Sequence, residues 1–402
     1  MGFWRPLCAT ERYYLAYSDI FPDFTIQFFF EGSGTFDVPR WKEAVEAGSR
    51  ANPGSRLVLK GSWRFSRWVD SGITPPVRVV DASAWDGTGP DGAPACMTEY
   101  FNPRTGPTCE VVLMQGTPLR AVFRAHHCVM DGRGIITWAE DIFRALRGEQ
   151  PLGTASKLTE FQVARRFQKG WRTPPPHEFI APTGMPQGSE QGVVWRHMRF
   201  AGRRKNLIGQ VAVIMAQSAW SYGEGKVRFG IPVDLRPRIP GLRSTGNLSN
   251  LVYLEMEPGT SASDAAQSIA WQLQERKDGM QYWGDQLIRY LPIWYLRRII
   301  RDEAALKHVT GRYRNSGIIS NMGVIPLELF QGGGFTADYF WGLPPCPMDL
   351  PFFMGVVSSG DNSSLIFVLP KTLASGGRLE EIMERLRTGL VPVHDPGKDR
   401  AA

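Results

Sequence analysis

The stretch Pro118-Leu-Arg-Ala-Val-Phe-Arg-Ala-His126-His127-Cys-Val-Met-Asp131-Gly132-Arg-Gly134 changes its periodicity part-way along, and that change decides the fold. Up to His127 the period is two, so Leu119, Ala121, Phe123, Ala125 and His127 share one face of a strand and His126 lies on the other. Beyond Gly134 the period is helical, with Ile135, Ile136, Ala139, Ile142, Phe143 and Leu146 on one stripe. The segment reads as strand, tight loop, helix. Gly132 and Gly134 permit the reversal, and the helix N-terminus turns its free N–H groups and positive dipole end back toward the loop. Because the two histidines face opposite ways, they cannot share one role.

Outward from this segment, the first half of the chain mixes the same two signals. Phe24 to Phe30 and Val111 to Met114 read as strands, and Pro39 to Ala51 as a helix with Trp41, Ala44, Val45 and Gly48 on one face. The second half repeats the mixture. Leu207, Ile208, Val211, Ala212 and Met215 form a helical stripe, Val227 to Val233 is a strand, and Leu248, Val252, Leu254 and Met256 line one face of another. Ile269 to Leu273 and the series Leu379, Ile382, Met383, Leu386, Leu390 read as amphipathic helices, with strands at Met354 to Val357 and Leu365 to Leu369. Pro174 to Pro176, Pro182 and Pro186, among several glycines, mark a linker. The expected organisation is a lobe over residues 1–172, a linker over 173–192 and a second lobe over 193–402, in the α/β (α+β) class.

The 402 residues are enough for two domains, and an apolar fraction of 43% fills their cores, which excludes a disordered or fibrous protein. Apolar runs such as Phe28 to Phe30 and Ile293 to Leu296 are far too short to span a bilayer, and the N-terminus lacks a signal-peptide core. The five cysteines Cys8, Cys96, Cys109, Cys128 and Cys346 are scattered and include no C-x-x-C pair. That spacing suggests neither a disulfide framework nor a zinc site and fits a reducing compartment. A soluble cytoplasmic protein is expected. The net charge of +7 favours anionic partners, whether nucleic acid, a membrane surface, coenzyme A phosphates or an acidic carrier protein, and charge alone does not choose among them. The basic residues come in short clusters, Arg203-Arg204-Lys205 and Arg297-Arg298-Ile299-Ile300-Arg301, which read as solvated faces and not as nucleic-acid sites.

The run His126-His127-x-x-x-Asp131-Gly132 resembles the H-H-x-x-x-D-G signature of condensation domains of nonribosomal peptide synthesis. Its core H-x-x-x-D-G is shared with chloramphenicol acetyltransferases and plant-type acyltransferases. Further segments are similar to that family at lower specificity: Ile231-Pro-Val-Asp-Leu-Arg236-Pro with Thr245-Gly246-Asn247, and Ser320-Asn321-Met-Gly323. Asp338-Tyr-Phe-Trp341-Gly342 lies about where plant-type members have D-F-G-W-G and departs from it at the centre. The resemblance implies two chloramphenicol-acetyltransferase-like lobes, each a mixed sheet with flanking helices, forming a V with a central channel. It implies His127 as the catalytic base, with Asp131 as a structural residue bonded to an arginine. Arg12 is the first candidate for that arginine and Arg236 the second. His126 and Gly132 would support the site.

Such chemistry needs little apparatus. A thioester is an activated acyl donor, so the acceptor hydroxyl or amine needs a placed base and stabilisation of the oxyanion. The resemblance implies acyl-coenzyme A or a phosphopantetheine-bound acyl group as donor substrate, with no tightly bound cofactor. It also implies a small-molecule acceptor, an acidic acyl or peptidyl carrier protein as a partner, and a role in specialised metabolism or lipid assembly. Ser320 and Asn321 would line the channel or donate to the oxyanion, and they read equally as a turn at a strand end. Trp341 would line an acyl pocket or belong to the core. The competing reading of His126-His127 as metal ligands wants more donors, and His177, His197, His308 and His394 stand in no recognisable ligand spacing. Cys128 would face away from His127 and serve as a small core residue. A non-catalytic module that binds a carrier protein or acyl ligand is the alternative from another class.

Overall fold

The computed structural model describes residues 2–21 and 24–390; His394 lies outside them. Two six-stranded mixed sheets organise the chain. In the first, Thr25–Gly34 and Leu119–His126 run antiparallel at the centre with Thr25 opposite His126. Cys109–Gln115 and Val77–Asp81 extend it on one side. The expected alternation is realised. Ala121, Phe123 and Ala125 face the helices Val38–Ala51 and Gly132–Leu146, forming a core with Phe30, Trp41 and Trp138. Val122 and Phe29 face the other way, into a second cluster with Trp85, Trp195 and Trp341.

The second sheet runs in the order Ser249–Met256, Val227–Asp234, Gly317–Ile325, Phe353–Ser359, Asn362–Pro370, Val193–Ala201. The helices Leu207–Tyr222 and Arg378–Leu390 cover one face through Val211, Met215, Leu379, Ile382 and Leu386. The two-lobed α/β architecture read from the sequence is thus present. Among the described residues no helix is long and apolar enough to cross a membrane.

The sheets do not respect the division at residues 173–192. Phe335–Leu343, far into the second half, pairs antiparallel with Thr25–Gly34 and completes the first lobe's sheet together with Gln331–Gly332. Assigning all of 193–402 to one lobe is therefore corrected: residues 331–343 belong to the sheet of the N-terminal lobe. The alternating apolar pattern of this strand identifies it as a strand but carries no information about which edge it joins. The proline-rich linker is fastened along its length. Phe179 exchanges backbone hydrogen bonds with Tyr313 at 3.1 and 2.9 Å, and the buried Arg378 donates to the carbonyls of Thr183 and Met185 at 2.7 Å.

Candidate active site

The strand Leu119–His126 ends at His126, and His127 opens the turn that leads to the helix. The turn is tied from both sides, since His127 N–H donates to Phe24 O at 3.0 Å and Val129 N–H to His126 O at 2.9 Å. His126 spends both ring nitrogens inside the protein. Nδ1 accepts from the Cys128 N–H at 3.1 Å, so Nε2 carries the proton and donates to Ser18 Oγ at 3.0 Å. Burial holds its pKa down at about 3, and the ring is a neutral structural tie between the turn and the helix Ala9–Ser18.

His127 has the opposite tautomer. Its Nδ1 lies 3.1 Å from the Met130 carbonyl, which can only accept, so Nδ1 carries the proton and Nε2 keeps a lone pair. Among the described residues no geometrically defined hydrogen bond reaches that nitrogen, and the Asn247 amide is the polar side chain beside the ring. Tyr14 covers the ring at a centroid distance of 4.3 Å and Phe24 lies beside it at 5.6 Å. Burial lowers the His127 pKa, against the opposing effects of the Met130 carbonyl, Asp131 and the Asn247 amide. The imidazole is therefore neutral at pH 7 and able to accept a proton.

Asp131 caps the helix Gly132–Leu146, its Oδ1 accepting from Gly134 N–H at 2.8 Å while Oδ2 accepts from Leu248 N–H at the same distance. Arg236 completes its coordination with a bidentate pair, Nη2 to Oδ1 at 2.9 Å and Nη1 to Oδ2 at 3.1 Å. The remaining donors of Arg236 reach Ser244 O, Gly246 O and Asp234 Oδ1, so all five guanidinium N–H groups are used. Burial opposes its charge, yet Asp131 and Asp234 outweigh burial and raise its pKa. Asp131 thus holds the loop and joins the lobes, with no free oxygen for substrate.

The arginine expected first, Arg12, is not its partner. Arg12 donates instead to Trp63 O at 2.9 Å and Leu291 O at 2.5 Å. The physical reason is the helical phase of Ala9–Ser18: Glu11 and Tyr14 face the turn, and Arg12 points toward two surface loops. Glu11, which the sequence reading passed over, accepts from Arg5 Nη1 at 2.6 Å, Trp68 Nε1 at 2.9 Å and Asn247 Nδ2 at 3.2 Å. Asn247 also donates to the carbonyls of His127 and Cys128 at 3.0 and 3.1 Å, fixing the turn from the second lobe. The spacing of Glu11, Tyr14, Leu15 and Ser18 along one helical face was the available signal for Glu11.

These groups border a chamber of about 740 Å³ between the lobes. Ile26, Phe28 and His127 line it from one side, and Ile318, Ser320 and Phe353 from the other. Ser320 and Asn321 are both on its wall. Asn321 Oδ1 accepts from Gly323 N–H at 2.8 Å, so the turn reading of this pair also holds. Gly132 lies where a Cβ would come within 3.0 Å of both Met322 Sδ and Phe28 Cζ, and a Cβ on Gly134 would meet Thr245 O at 2.3 Å. Both glycines therefore let the helix start approach the second lobe. The pocket reading of Trp341 is corrected and its core reading holds: it points away from the chamber, stacks on Phe29 at 3.8 Å and donates to Glu31 Oε1 at 3.0 Å. Its strand neighbours Phe340 and Gly342 line the chamber instead. Cys128 is buried, and burial pushes its thiol pKa up, which suits packing. Among the described residues no group of three or more His, Cys, Asp or Glu is placed to hold a metal ion.

No protein-family model matches the chain, and no curated protein matches it either. Solved structures do. The starter condensation domain of rhizomide synthetase RzmA, as a mutant in complex with C8-CoA, superimposes with a TM-score of 0.65 over 96% of this chain and 94% of that one, at 18% identity. The same domain with C8-CoA and Leu-SNAC gives 0.64 at 17% identity and the same coverage. The condensation domain of the monacolin K polyketide synthase MokA gives 0.59 at 11% identity, over 96% and 97% of the two chains. This chain has the condensation-domain fold. Within that fold, the turn carrying His127 lies at the junction of the lobes, and the Asp131–Arg236 pair spans the junction.

Proposed function

We propose that this chain is an acyltransferase that moves an acyl group from a thioester to the hydroxyl or amine of a small molecule, with His127 as general base. The observation that carries this reading is the tautomer of His127: Nδ1–H is committed to the Met130 carbonyl, which leaves the lone pair on Nε2, beside an interlobe chamber. Nε2 takes the proton of the acceptor O–H or N–H as that heteroatom bonds to the thioester carbonyl carbon. The tetrahedral oxyanion collapses, the C–S bond breaks, and the thiolate leaves with the proton returned from Nε2. The Ser320 hydroxyl and Asn321 amide on the facing strand are the oxyanion donors in this reading. One neighbour of this fold, the RzmA starter condensation domain, is solved in complex with C8-CoA, which supports acyl-coenzyme A as the donor.

The test offers acetyl- to long-chain acyl-coenzyme A with mixed alcohols and amines, in parallel with a loaded carrier protein, and follows products by mass spectrometry. Turnover that falls by about 10²–10⁴-fold in His127→Ala is expected for loss of a general base. Transfer from the carrier alone would move the donor assignment to phosphopantetheine. An unimpaired His127→Ala enzyme would remove the base from His127.

A further inference from the structure

Several exposed aromatic side chains lie together at one place on the surface. Trp63, Phe65, Trp283, Trp294 and Tyr295, with the aliphatic Leu287 beside them, are between 40% and 67% exposed. They come from only two stretches, 61–67 and 283–298, which meet in space. Trp63 Nε1 donates to Tyr290 O at 2.6 Å, and Arg12 holds Trp63 O and Leu291 O with one guanidinium. Trp63 has φ +51°, an unfavourable conformation for an indole-bearing residue, and this clamp secures it.

Arginines are interleaved with the rings. Arg64, Arg67, Arg289, Arg297 and Arg298 fall within the same two stretches, which hold the single carboxylate Asp285; Arg297 and Arg298 also lie 3.2 and 3.8 Å from Asp19 and Asp302. Arg64 lies 4.8 Å from the Phe65 ring and Arg289 lies 4.7 Å from that of Tyr290. The second stretch also borders the chamber, whose rim includes Tyr282, Asp285 and Tyr13.

We infer that this patch binds the headgroup region of an anionic lipid bilayer, seating the chamber mouth at the membrane surface. Rings on exposed loop tips and a first helical turn enter the boundary between headgroups and acyl chains, where Trp and Tyr are most favourable. Arginines among them extend their charge back to lipid phosphates. The surface is peripheral and involves no spanning element. It gives a lipophilic ligand a route between the bilayer and the chamber that avoids bulk water. This inference goes beyond the acyl-transfer reading, since it holds whatever the chamber transforms.

The experiment is flotation of the full chain with vesicles of phosphatidylcholine alone and of phosphatidylcholine mixed with phosphatidylglycerol. Quenching of tryptophan emission by brominated lipid, on the unsubstituted chain, measures ring insertion without any variant. Binding to the mixed vesicles, weakened by salt, is expected. Loss of one patch arginine weakens it about fivefold. The combined variant Phe65→Ser, Trp283→Ser, Trp294→Ser leaves the Arg12 clamp in place; it is expected to lower vesicle affinity about tenfold or more while keeping the thermal midpoint. Failure of the unsubstituted chain to bind either vesicle overturns the inference. So does binding without quenching, or binding that the folded triple variant retains. A dimer, or a complex with an acidic carrier protein, that the triple variant disperses in the absence of vesicle binding would instead assign the patch to that protein partner.

Discussion

His127 and His126 are adjacent in sequence and opposite in chemistry because each ring is fixed by the partner its Nδ1 meets. A carbonyl at Nδ1 forces the proton there and frees Nε2 in His127, whereas a backbone N–H at Nδ1 forces the proton to Nε2 in His126. Catalysis in the proposed reaction requires the unprotonated His127. Burial lowers its pKa below the ordinary value of about 6.5, so the base is fully available at neutral pH and is lost only as pH falls through that lowered value. The expected kcat/KM profile is flat around pH 7 with an acid limb centred below about 6.5. An acid limb centred above that value would contradict the assignment. The pairing of histidine roles was legible in the strand alternation, which put the two rings on opposite faces. The tautomers were not, because Met130 O and Cys128 N–H take up their positions only when the turn folds.

At the scale of elements, the helix Gly132–Leu146 and the second lobe are joined through the buried pair of Asp131 and Arg236. Asp131→Ala leaves the buried Arg236 with Asp234 as its one remaining carboxylate, at a cost of about 3–5 kcal/mol. Denaturant unfolding should register that loss, and adding Arg236→Met should recover part of the stability while turnover stays low, because the loop remains unheld. The opposite wall offers a milder change. Gly355, on the strand Phe353–Ser359, lines the chamber, and a Cβ there would find its nearest neighbour, Gly342 O, at 3.6 Å. Gly355→Ala is therefore expected to fold normally and shift donor preference toward shorter acyl chains, as read by competition between acyl-coenzyme A lengths. A preference unchanged across the series would place the acyl chain elsewhere. The helices and strands themselves were largely legible, because their apolar periods are strong. Trp341 was not, since one residue of strand phase separates the chamber wall from the interior behind it.

For the whole molecule, the strand Phe335–Leu343 makes the lobes interdependent. It covers the edge of Thr25–Gly34, so a fragment ending at residue 192 would expose the backbone of Phe28, Phe29 and Phe30 on an unpaired edge. Such a fragment is expected to aggregate or to be cleaved rapidly by protease, with solubility returning when the second half is co-expressed. A fragment that is monomeric and resistant to protease would indicate that the first lobe is complete without it.

From the sequence alone came the strand–turn–helix around His127, the two-lobed α/β class and the separate faces of the two histidines. These follow from local periodicity and from residue types within a few positions of one another. Only the tertiary structure decided that Arg236 and not Arg12 holds Asp131, that Asn247 and Glu11 secure the turn, and that residues 331–343 return to the first lobe. Each of those is a meeting of groups distant along the chain. Hydrophobic patterning tells which face of an element is buried, but the partner that buries it is settled by how the whole set of elements packs together.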